Sequence, residues 1–515
     1  LGLGRTHAGV LQGLEAHGIR VEVSCTRGPA FFQMVGLAEA AVREARVRVA
    51  SALATLGILI DEYAITVNLA PADLRKTGAT LDLAIAIAIL VATGRLAARG
   101  LDEMLLLGEL ALDGAVRPVR GVLPQLWGAR QRGLSHAVVP VDNAREAGLT
   151  RSLDVRVVAH LAALVHHLEG HVALEPVPET KFVPGAEPAR YGDLADVRGQ
   201  ASARRALEVA AAGGHNLLMV GPPGSGKTWL ARLVPTILPP LTYDEAIECS
   251  MIHSVAGLLP NESGAILTRP FRAPHHSVSD AGLVGGGESP RPGEVSLAHN
   301  GVLFLDELLE FRRSTLEALR QPLEDGQVCI ARARSRAWFP ARPVLVAAVN
   351  PCPCGYSGHP RRACRCSEEA RRRYQSRLSG PLLDRIDLHV SVPPVEVAAL
   401  TSSSKAESSH AVRERVLHAR ARQAQRATEL GLLSSLNATL APADLERAVP
   451  LDRGSRRLLE AAMNQLGLSA RAYTKILRVA RTVADLDGEE AVRSAHVAEA
   501  IQGRLFDREP PRSSS

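Results

Sequence analysis

Lysine is almost missing from this 515-residue chain. Only five of its 60 basic residues are lysines, at 76, 181, 227, 405 and 475, and the rest are arginine. GC-rich codon usage explains such a bias without any function. Against it, a lysine in a glycine-rich stretch stands out. Long apolar runs are missing too. The longest, LDLAIAIAILVATG (81–94), is too short to cross a hydrocarbon layer of about 30 Å and carries Asp82, so it reads as a buried helix. No basic segment followed by an apolar core opens the chain, so no secretory signal is visible. The expectation is a cytoplasmic protein with no membrane partner. Cysteine is sparse: seven, an odd number, which argues against a secreted disulfide framework. Internal repeats are absent.

What is present begins with length. A chain of 515 residues exceeds one hydrophobic core, and roughly two to four domains are expected. The net charge of +6 and pI near 9.1 permit a polyanionic partner without requiring one. Residues 1–170 alternate strand-like runs, IRVEVSCT (19–26) and AITVNLAP (64–71), with helical ones such as 37–57, which Gly57 would end. Residues 171–191 hold four prolines and little periodicity, and read as a linker. A second unit spans 192–400. The polar, small-residue stretch at 401–410 is a second linker. Residues 411–505 have an almost wholly helical pattern, and the tail 506–515 reads as disordered.

The most specific stretch is GPPGSGKTWL (221–230). Gly221, Pro222, Pro223, Gly224, Ser225, Gly226, Lys227 and Thr228 fit G-x-x-x-x-G-K-[ST]. An apolar run, NLLMV, precedes them as a strand, and a helical run follows, which is the context a phosphate loop needs. Glycines let backbone N–H groups wrap phosphates at a helix N-terminus. Lys227 would reach the β- and γ-phosphates of ATP, and Thr228 would bind Mg²⁺. GVLFLDE (301–307) supplies a buried parallel strand ending in two carboxylates. Asp306 would hold Mg²⁺ and Glu307 would act as general base towards the attacking water. PVLVAAVN (343–350) is a third such strand. Its terminal Asn350 either orients water against the γ-phosphate or is an ordinary loop residue.

These parts together resemble an AAA+ ATPase. The segments RPFRAPHHSVSDAGLVGGGESPRPGEVSLAHNGVLFLDE (269–307), NPCPCGYSGHPRRACRCS (350–367) and LSGPLLDRIDLHV (378–390) narrow the resemblance to the magnesium-chelatase-like AAA+ proteins of the YifB/ComM type. VEVSCTRGPAFFQMVGLAEAAVREARVRVASAL and ITVNLAPADLRKTGATLDLAIAIAIL resemble that family's N-terminal domain. The resemblance covers roughly residues 8–505. It implies an α/β fold: an AAA+ P-loop core with a helical lid, preceded by a Lon-protease-like (S5-like) α+β domain. It also implies that Arg385 is an arginine finger and Arg471 the sensor-2 arginine, both completing sites in trans in a homo-hexamer. Leu309 and Ala84 stand where the family usually has proline, away from the chemistry.

Lon-type proteolysis needs a serine and a desolvated lysine. The resemblance aligns Thr80 with the serine and Leu123 with the lysine, and no lysine occurs between 77 and 180. The first domain therefore reads as a scaffold for assembly or partner contacts.

EDGQVCIARARSRAWFPARPV (324–344) reads as a β-hairpin, and related ring helicases project a hairpin at this position into their channel. Arg332, Arg334 and Arg336 alternate with small residues, which on one strand would point them to one side as a DNA grip. Trp338, at the same period, would stack on a base. The bland alternative is a solvated, charge-guarded edge strand. Arg361, Arg362, Arg365, Arg371, Arg372, Arg373 and Arg377 add basic density. The ComM branch of the family implies a DNA branch-migration helicase in natural transformation, acting on single-stranded or branched DNA.

Cys352, Cys354, Cys364 and Cys366 form C-x-C…C-x-C. They suit either a structural Zn²⁺ or a reduced thiol cluster, with His359 as a substitute ligand. Two rival functions stay open: a chelatase-type ATPase that remodels a protein partner for metal insertion, and an ATP-dependent protease, against which Leu123 argues.

Overall fold

The computed structural model describes residues 2–37, 44–76, 78–151, 153–180, 182–183, 191–332, 335–378, 380–395 and 406–504. The first unit is a mixed seven-stranded sheet. Its strands are β1 (Gly2–Gln12), β2 (Glu15–Arg27), β3 (Phe31–Val35), β4 (Tyr63–Ala70), β5 (Met104–Leu106), β6 (His136–Pro140) and β7 (Asp154–Val158). Their order is β3-β4-β2-β1-β5-β6-β7. β4 alternates buried and half-buried residues along its length, the period-2 signature of a sheet with one face on the core.

The expected helix over 37–57 is observed as α1 (Ala45–Ala54), with 38–43 outside the described residues. The apolar run is α2 (Asp82–Ala92). Leu83, Ile85, Ile87, Ile89 and Leu90 are buried there, each contributing roughly 1.5–3 kcal/mol. The one charge in that run is matched: Arg48 Nε donates to Asp82 Oδ2 at 2.6 Å, and Leu110 N to the same oxygen at 3.2 Å. α3 (Val122–Gln131) packs on the other face of the sheet against Leu105, Ala137 and Val139, while α4 (Leu161–Leu168) joins α1 and α2 on theirs.

The expected linker at 171–191 is partly fixed. Val177 N donates to Val155 O at 2.8 Å, Thr180 N to Gly148 O at 2.9 Å, and Arg156 Nη1 to Leu174 O at 2.9 Å. Bonds to β7 and to Gly148 thus hold residues 174–180 on the first unit, while Phe182 packs against Leu241, Ala246 and Cys249 of the second.

The second unit opens with α5 (Ala201–Gly213), β8 (Leu217–Val220), α6 (Lys227–Ile237) and α7 (Tyr243–Ala256), then β9 (Phe271–Arg272) and β10 (Val302–Leu305). A two-stranded ribbon follows, β11 (Gln327–Arg332) and β12 (Ser335–Pro340). β13 (Val344–Val349), α8 (Glu368–Gln375) and β14 (Leu388–Ser391) close the unit. The sheet order is β9-β10-β13-β8-β14, with every pair parallel. Both faces are covered, which is why these strands read as unbroken apolar runs.

The C-terminal helices α9 (Ser409–Leu430), α10 (Arg453–Leu466), α11 (Ala470–Leu486) and α12 (Ser494–Gln502) share a core with that sheet: Ile476, Val479, Val483 and Val497 join Leu217, Met219 and Val346. Buried ions join them too. Lys475 Nζ donates to Ile386 O at 3.0 Å and lies 3.3 Å from Asp387 Oδ1, and His215 Nδ1 lies 3.3 Å from Asp387 Oδ2. Residues 401–405 and the tail beyond 504 lie outside the described residues.

The first and second units meet along α3 and α7. Leu123 and Leu149 pack with Ile247 and Ala265, and the buried Glu146 carboxylate accepts from Leu123 N at 2.8 Å and from Ser254 Oγ. No helix among the described residues is long and apolar enough to cross a membrane.

Candidate nucleotide site

β8 ends at Val220, and the chain turns through the glycine-rich loop into α6. Gly224 and Gly226 have φ of +77° and +92°, backbone that only glycine adopts without strain, and among the described residues neither has a neighbour within 4 Å of where a Cβ would sit. The result is an open concavity of backbone at the head of α6, the arrangement that binds phosphate. Ser225 Oγ is buried there with no hydrogen-bond partner among the described residues, and Gln200 Nε2 donates to Pro393 O at 2.5 Å and to Ser225 O at 3.4 Å. Lys227 Nζ folds back onto Gly221 O at 2.7 Å and Pro222 O at 2.9 Å. Burial pulls this ammonium below the ordinary lysine value, against the charges of Asp306 and Glu307. A buried cation resting on two carbonyls gains from an anionic partner.

The carboxyl ends of β8, β10 and β13 bring the other expected residues to this loop. Thr228 Oγ1 donates to Asp306 Oδ2 at 2.6 Å, so the two expected Mg²⁺ ligands touch. Lys227 Nζ lies 3.3 Å from Asn350 Oδ1. Glu307 is half-exposed with φ of +49°, a left-handed conformation unusual for glutamate, and its Oε2 lies 3.8 Å from His276 Nδ1. His276 follows β9 and packs against His275 with ring centroids 4.0 Å apart and planes tilted by 35°. This His-His pair lies within the 269–307 segment, where its local pattern gives it no role. No spacing rule links it to a residue 31 positions later, and only the sheet order brings β9 beside β10.

The two arginines behave differently. β14 pairs with β8 in the register Leu217↔Leu388 to Val220↔Ser391. The phosphate loop leaves the carboxyl end of β8, whereas Arg385 precedes the amino end of β14. Four residues of strand, about 13 Å, separate the two levels. Arg385 Nε donates to Arg320 O at 3.0 Å, and its guanidinium pairs with Glu324. Arg471, mostly exposed, donates to Asp384 Oδ2 at 2.8 Å, next in chain to Arg385. The two arginines thus share an edge remote from the chain's own phosphate loop.

Comparison with known proteins finds relatives along nearly the whole chain. The magnesium chelatase subunit ChlI family matches residues 193–400, the ChlI subunit family residues 21–143, and the ChlI C-terminal family residues 406–504. YifB of Salmonella typhimurium is 43% identical over 511 residues, covering 99% of this chain and 98% of that protein. Competence protein ComM of Haemophilus influenzae is 44% identical over 505 residues, 96% of each. The chain belongs to the YifB/ComM family of magnesium-chelatase-like AAA+ proteins. Lon protease 2 of Bacillus subtilis is 29% identical over 156 residues, 29% of this chain and 28% of that protein. An AAA+ core with a helical C-terminal region, ATPase chemistry, ATP and Mg²⁺ follow from membership of this family.

In this YifB/ComM protein the ribbon corrects one expectation. Its strands end at Arg332 and resume at Ser335, and the register pairs Arg332 with Ser335 and Ala331 with Arg336. Positions 332 and 336 therefore belong to opposite faces, because the alternation expected of one continuous strand is broken by the turn. Arg334 lies outside the described residues. Arg336 and Trp338 do share a face, both exposed, while Ala337 and Phe339 are buried beneath. The basic stretch at 361–377 is partly neutralised: Arg372 and Arg373 pair with Glu368 and Glu369 one turn earlier on α8.

The four clustered cysteines do converge, with Cys352 buried. Backbone N–H groups of Tyr356 and Arg365 aimed at Cys354 lower its thiol to about 6. In the Lon-like domain, Leu123 is buried in α3, and the Lys76 ammonium donates to Pro71 O.

Proposed function

We propose that this protein is an ATP-driven ring motor that acts on DNA, a branch-migration helicase of natural transformation and recombination working as a cytoplasmic homo-hexamer. One observation carries the ring: Arg385 and Arg471 sit at the opposite end of the sheet from their own phosphate loop, so they serve only a neighbour's site. Within one protomer, Lys227 leaves the Gly221 and Pro222 carbonyls for the β- and γ-phosphates, and Ser225 and the loop amides cradle them. Thr228 and Asp306, which touch here, would hold Mg²⁺, and the ion would screen the phosphate charge. Glu307 takes the proton of the attacking water, Asn350 orients that water, and His276 positions Glu307. Arg385 of one protomer meets the γ-phosphate of the next, an interaction worth about 10³–10⁵ in rate where such fingers operate.

The DNA reading is supported by the exposed Arg336–Trp338 face, which offers a phosphate contact and a stacking surface without sequence readout. It is supported also by the likeness to a competence protein. Four cysteines, among which S···S spacings suit a tetrahedral ion, favour structural zinc as a further cofactor. The Lon-like domain serves as a scaffold: Leu123 occupies the lysine position and Lys76 is turned onto a backbone carbonyl. A chelatase-type motor is the second reading, favoured by the match of the ChlI subunit over the whole core.

The test is the ATPase rate of the full chain with and without forked or three-stranded DNA at low salt, with Lys227→Ala as the inactive control. Stimulation by DNA in a hexameric fraction is expected. A monomer that ignores DNA overturns the proposal, and stimulation only by a protein partner favours the chelatase reading.

A further inference from the structure

The chain leaving Asn350 returns on itself so that its thiols gather beside the phosphate loop. Cys352 lies two residues beyond Asn350, whose Oδ1 is the acceptor 3.3 Å from Lys227 Nζ. Cys352 Sγ is 3.4 Å from Cys354 Sγ and 3.6 Å from Cys364 Sγ, and Cys354 Sγ is 3.7 Å from Cys364 Sγ. All four sulfurs lie within 4.8 Å of one another. A tetrahedral ion with metal–sulfur bonds of about 2.3 Å sets its sulfurs about 3.8 Å apart. Backbone amides complete the cup: Ser357 N donates to Cys352 Sγ at 3.3 Å and Cys354 N to Cys366 Sγ at 3.4 Å. Such second-layer donors orient thiolate ligands and stabilise their charge.

The same loop touches the nucleotide site a second time. Gly355, one residue after Cys354, has φ of +80° and lies flush on Pro223 of the phosphate loop. A Cβ there would fall 2.4 Å from Pro223 Cδ and 2.7 Å from Pro223 Cγ. The cysteine loop therefore reaches the phosphate loop through Asn350 on one side and Gly355 on the other, and the four sulfurs fix the spacing between those contacts.

We propose that the four cysteines hold one Zn²⁺ as a clip that seats Asn350 and Gly355 against the phosphate loop, so that the metal sets how tightly the site takes nucleotide. This inference rests on the nucleotide reading above and extends it to regulation. Zinc has no redox chemistry of its own, but loss of the metal or oxidation of the thiols frees both contacts at once. Nucleotide binding then becomes sensitive to zinc supply and to thiol oxidants.

The experiment uses the full chain purified without chelator. Metal content is measured by elemental mass spectrometry, and zinc is released with an organomercurial and restored with dithiothreitol plus ZnCl₂. Affinity for a fluorescent ATP analogue is titrated in each state. One zinc per chain is expected. Its release is expected to weaken the analogue at least about tenfold, reversibly, the scale on which metal-site supports act. Gly355→Ala is expected to keep its zinc and still bind the analogue more weakly, because the added methyl pushes the loop off Pro223. It separates the clip from mere folding, whereas Cys364→Ser is expected to lose both zinc and affinity. Absence of zinc, or iron in its place, overturns the metal assignment. Zinc present with unchanged affinity after release and in Gly355→Ala overturns the clip and leaves the nucleotide site standing. Failure of the untreated protein to bind the analogue overturns the nucleotide reading itself.

Discussion

Gly13 forms the tip of the β1–β2 hairpin in the Lon-like domain, and its backbone rests on the ribbon proposed to grip DNA. A Cβ at Gly13 would fall 2.8 Å from Trp338 O, 3.1 Å from Trp338 N and 3.3 Å from Ala337 Cβ. Next to it, Gln12 Nε2 donates to Arg336 O at 2.8 Å, and Leu14 packs into the core beneath the ribbon. Gly13→Ala has two costs. Its φ of +69° charges an L-residue about 1–2 kcal/mol. The methyl must also displace the ribbon, an overpacking cost of about 1–3 kcal/mol. Gly57→Ala isolates the second cost: its φ is +73°, but none of the described residues lies within 4 Å of the added methyl. If the Gly13 contact seats the ribbon for DNA, 1–3 kcal/mol of displacement lowers DNA-dependent stimulation about 5- to 150-fold. Gly57→Ala loses stability alone. The assays are DNA-stimulated and basal ATPase, and Trp338 emission in a background where Trp127 and Trp229 are Phe. Equal stimulation and equal Trp338 emission in the Gly13 and Gly57 variants would refute the reasoning.

Four further outcomes are expected. Glu307→Gln retains nucleotide binding but lowers turnover by about 10²–10⁴, the usual contribution of a general base, as read by equilibrium binding beside steady-state hydrolysis. Mixing Glu307→Gln with Arg385→Ala chains restores part of the activity that neither shows alone, because some sites in mixed rings combine an intact Glu307 with a neighbour's intact Arg385; a mixture as inactive as its parts counts against completion in trans. Lys475→Met leaves Asp387 buried without its lysine and costs about 3–5 kcal/mol, whereas Lys475→Met with Asp387→Leu recovers much of that, read as thermal midpoints. Burial pushes the Asp387 carboxyl up, but Lys475, His215 and Arg478 outweigh it and hold it well below the usual carboxylate range. Its contribution is therefore complete above about pH 4 and fades as the pH falls below that, so acid-induced loss of the C-terminal helices is expected to vanish in the double variant.

Much of the nucleotide site is legible in the chain because its chemistry is written in short spacings. The phosphate loop needs glycines two residues apart and a lysine at the helix start, all within eight residues. Asp306 and Asn350 end apolar runs, and parallel strands deliver such ends to one edge. The cysteine pairs likewise announce themselves by their spacing. The ribbon was legible as a hairpin but not in its faces, since a shift in where the turn falls sends alternate positions to opposite sides. Residues 174–180 look like a linker because prolines hide a backbone that bonds to β7 and to Gly148. His276, Gln200 and Glu324 gave no signal, as each acts on a partner distant in sequence.

The sequence by itself determined which chemistry this protein carries, because phosphate wrapping, metal binding and water activation each demand particular residue types at fixed local spacing. The tertiary structure alone decided where that chemistry is completed. Strand register separates Arg385 from its own phosphate loop, and sheet order brings His276 to Glu307. Close packing seats Gly13 on the backbone of Trp338 and Gly355 on the ring of Pro223. These are contacts of shape between segments far apart in the chain, and local sequence pattern carries no record of them.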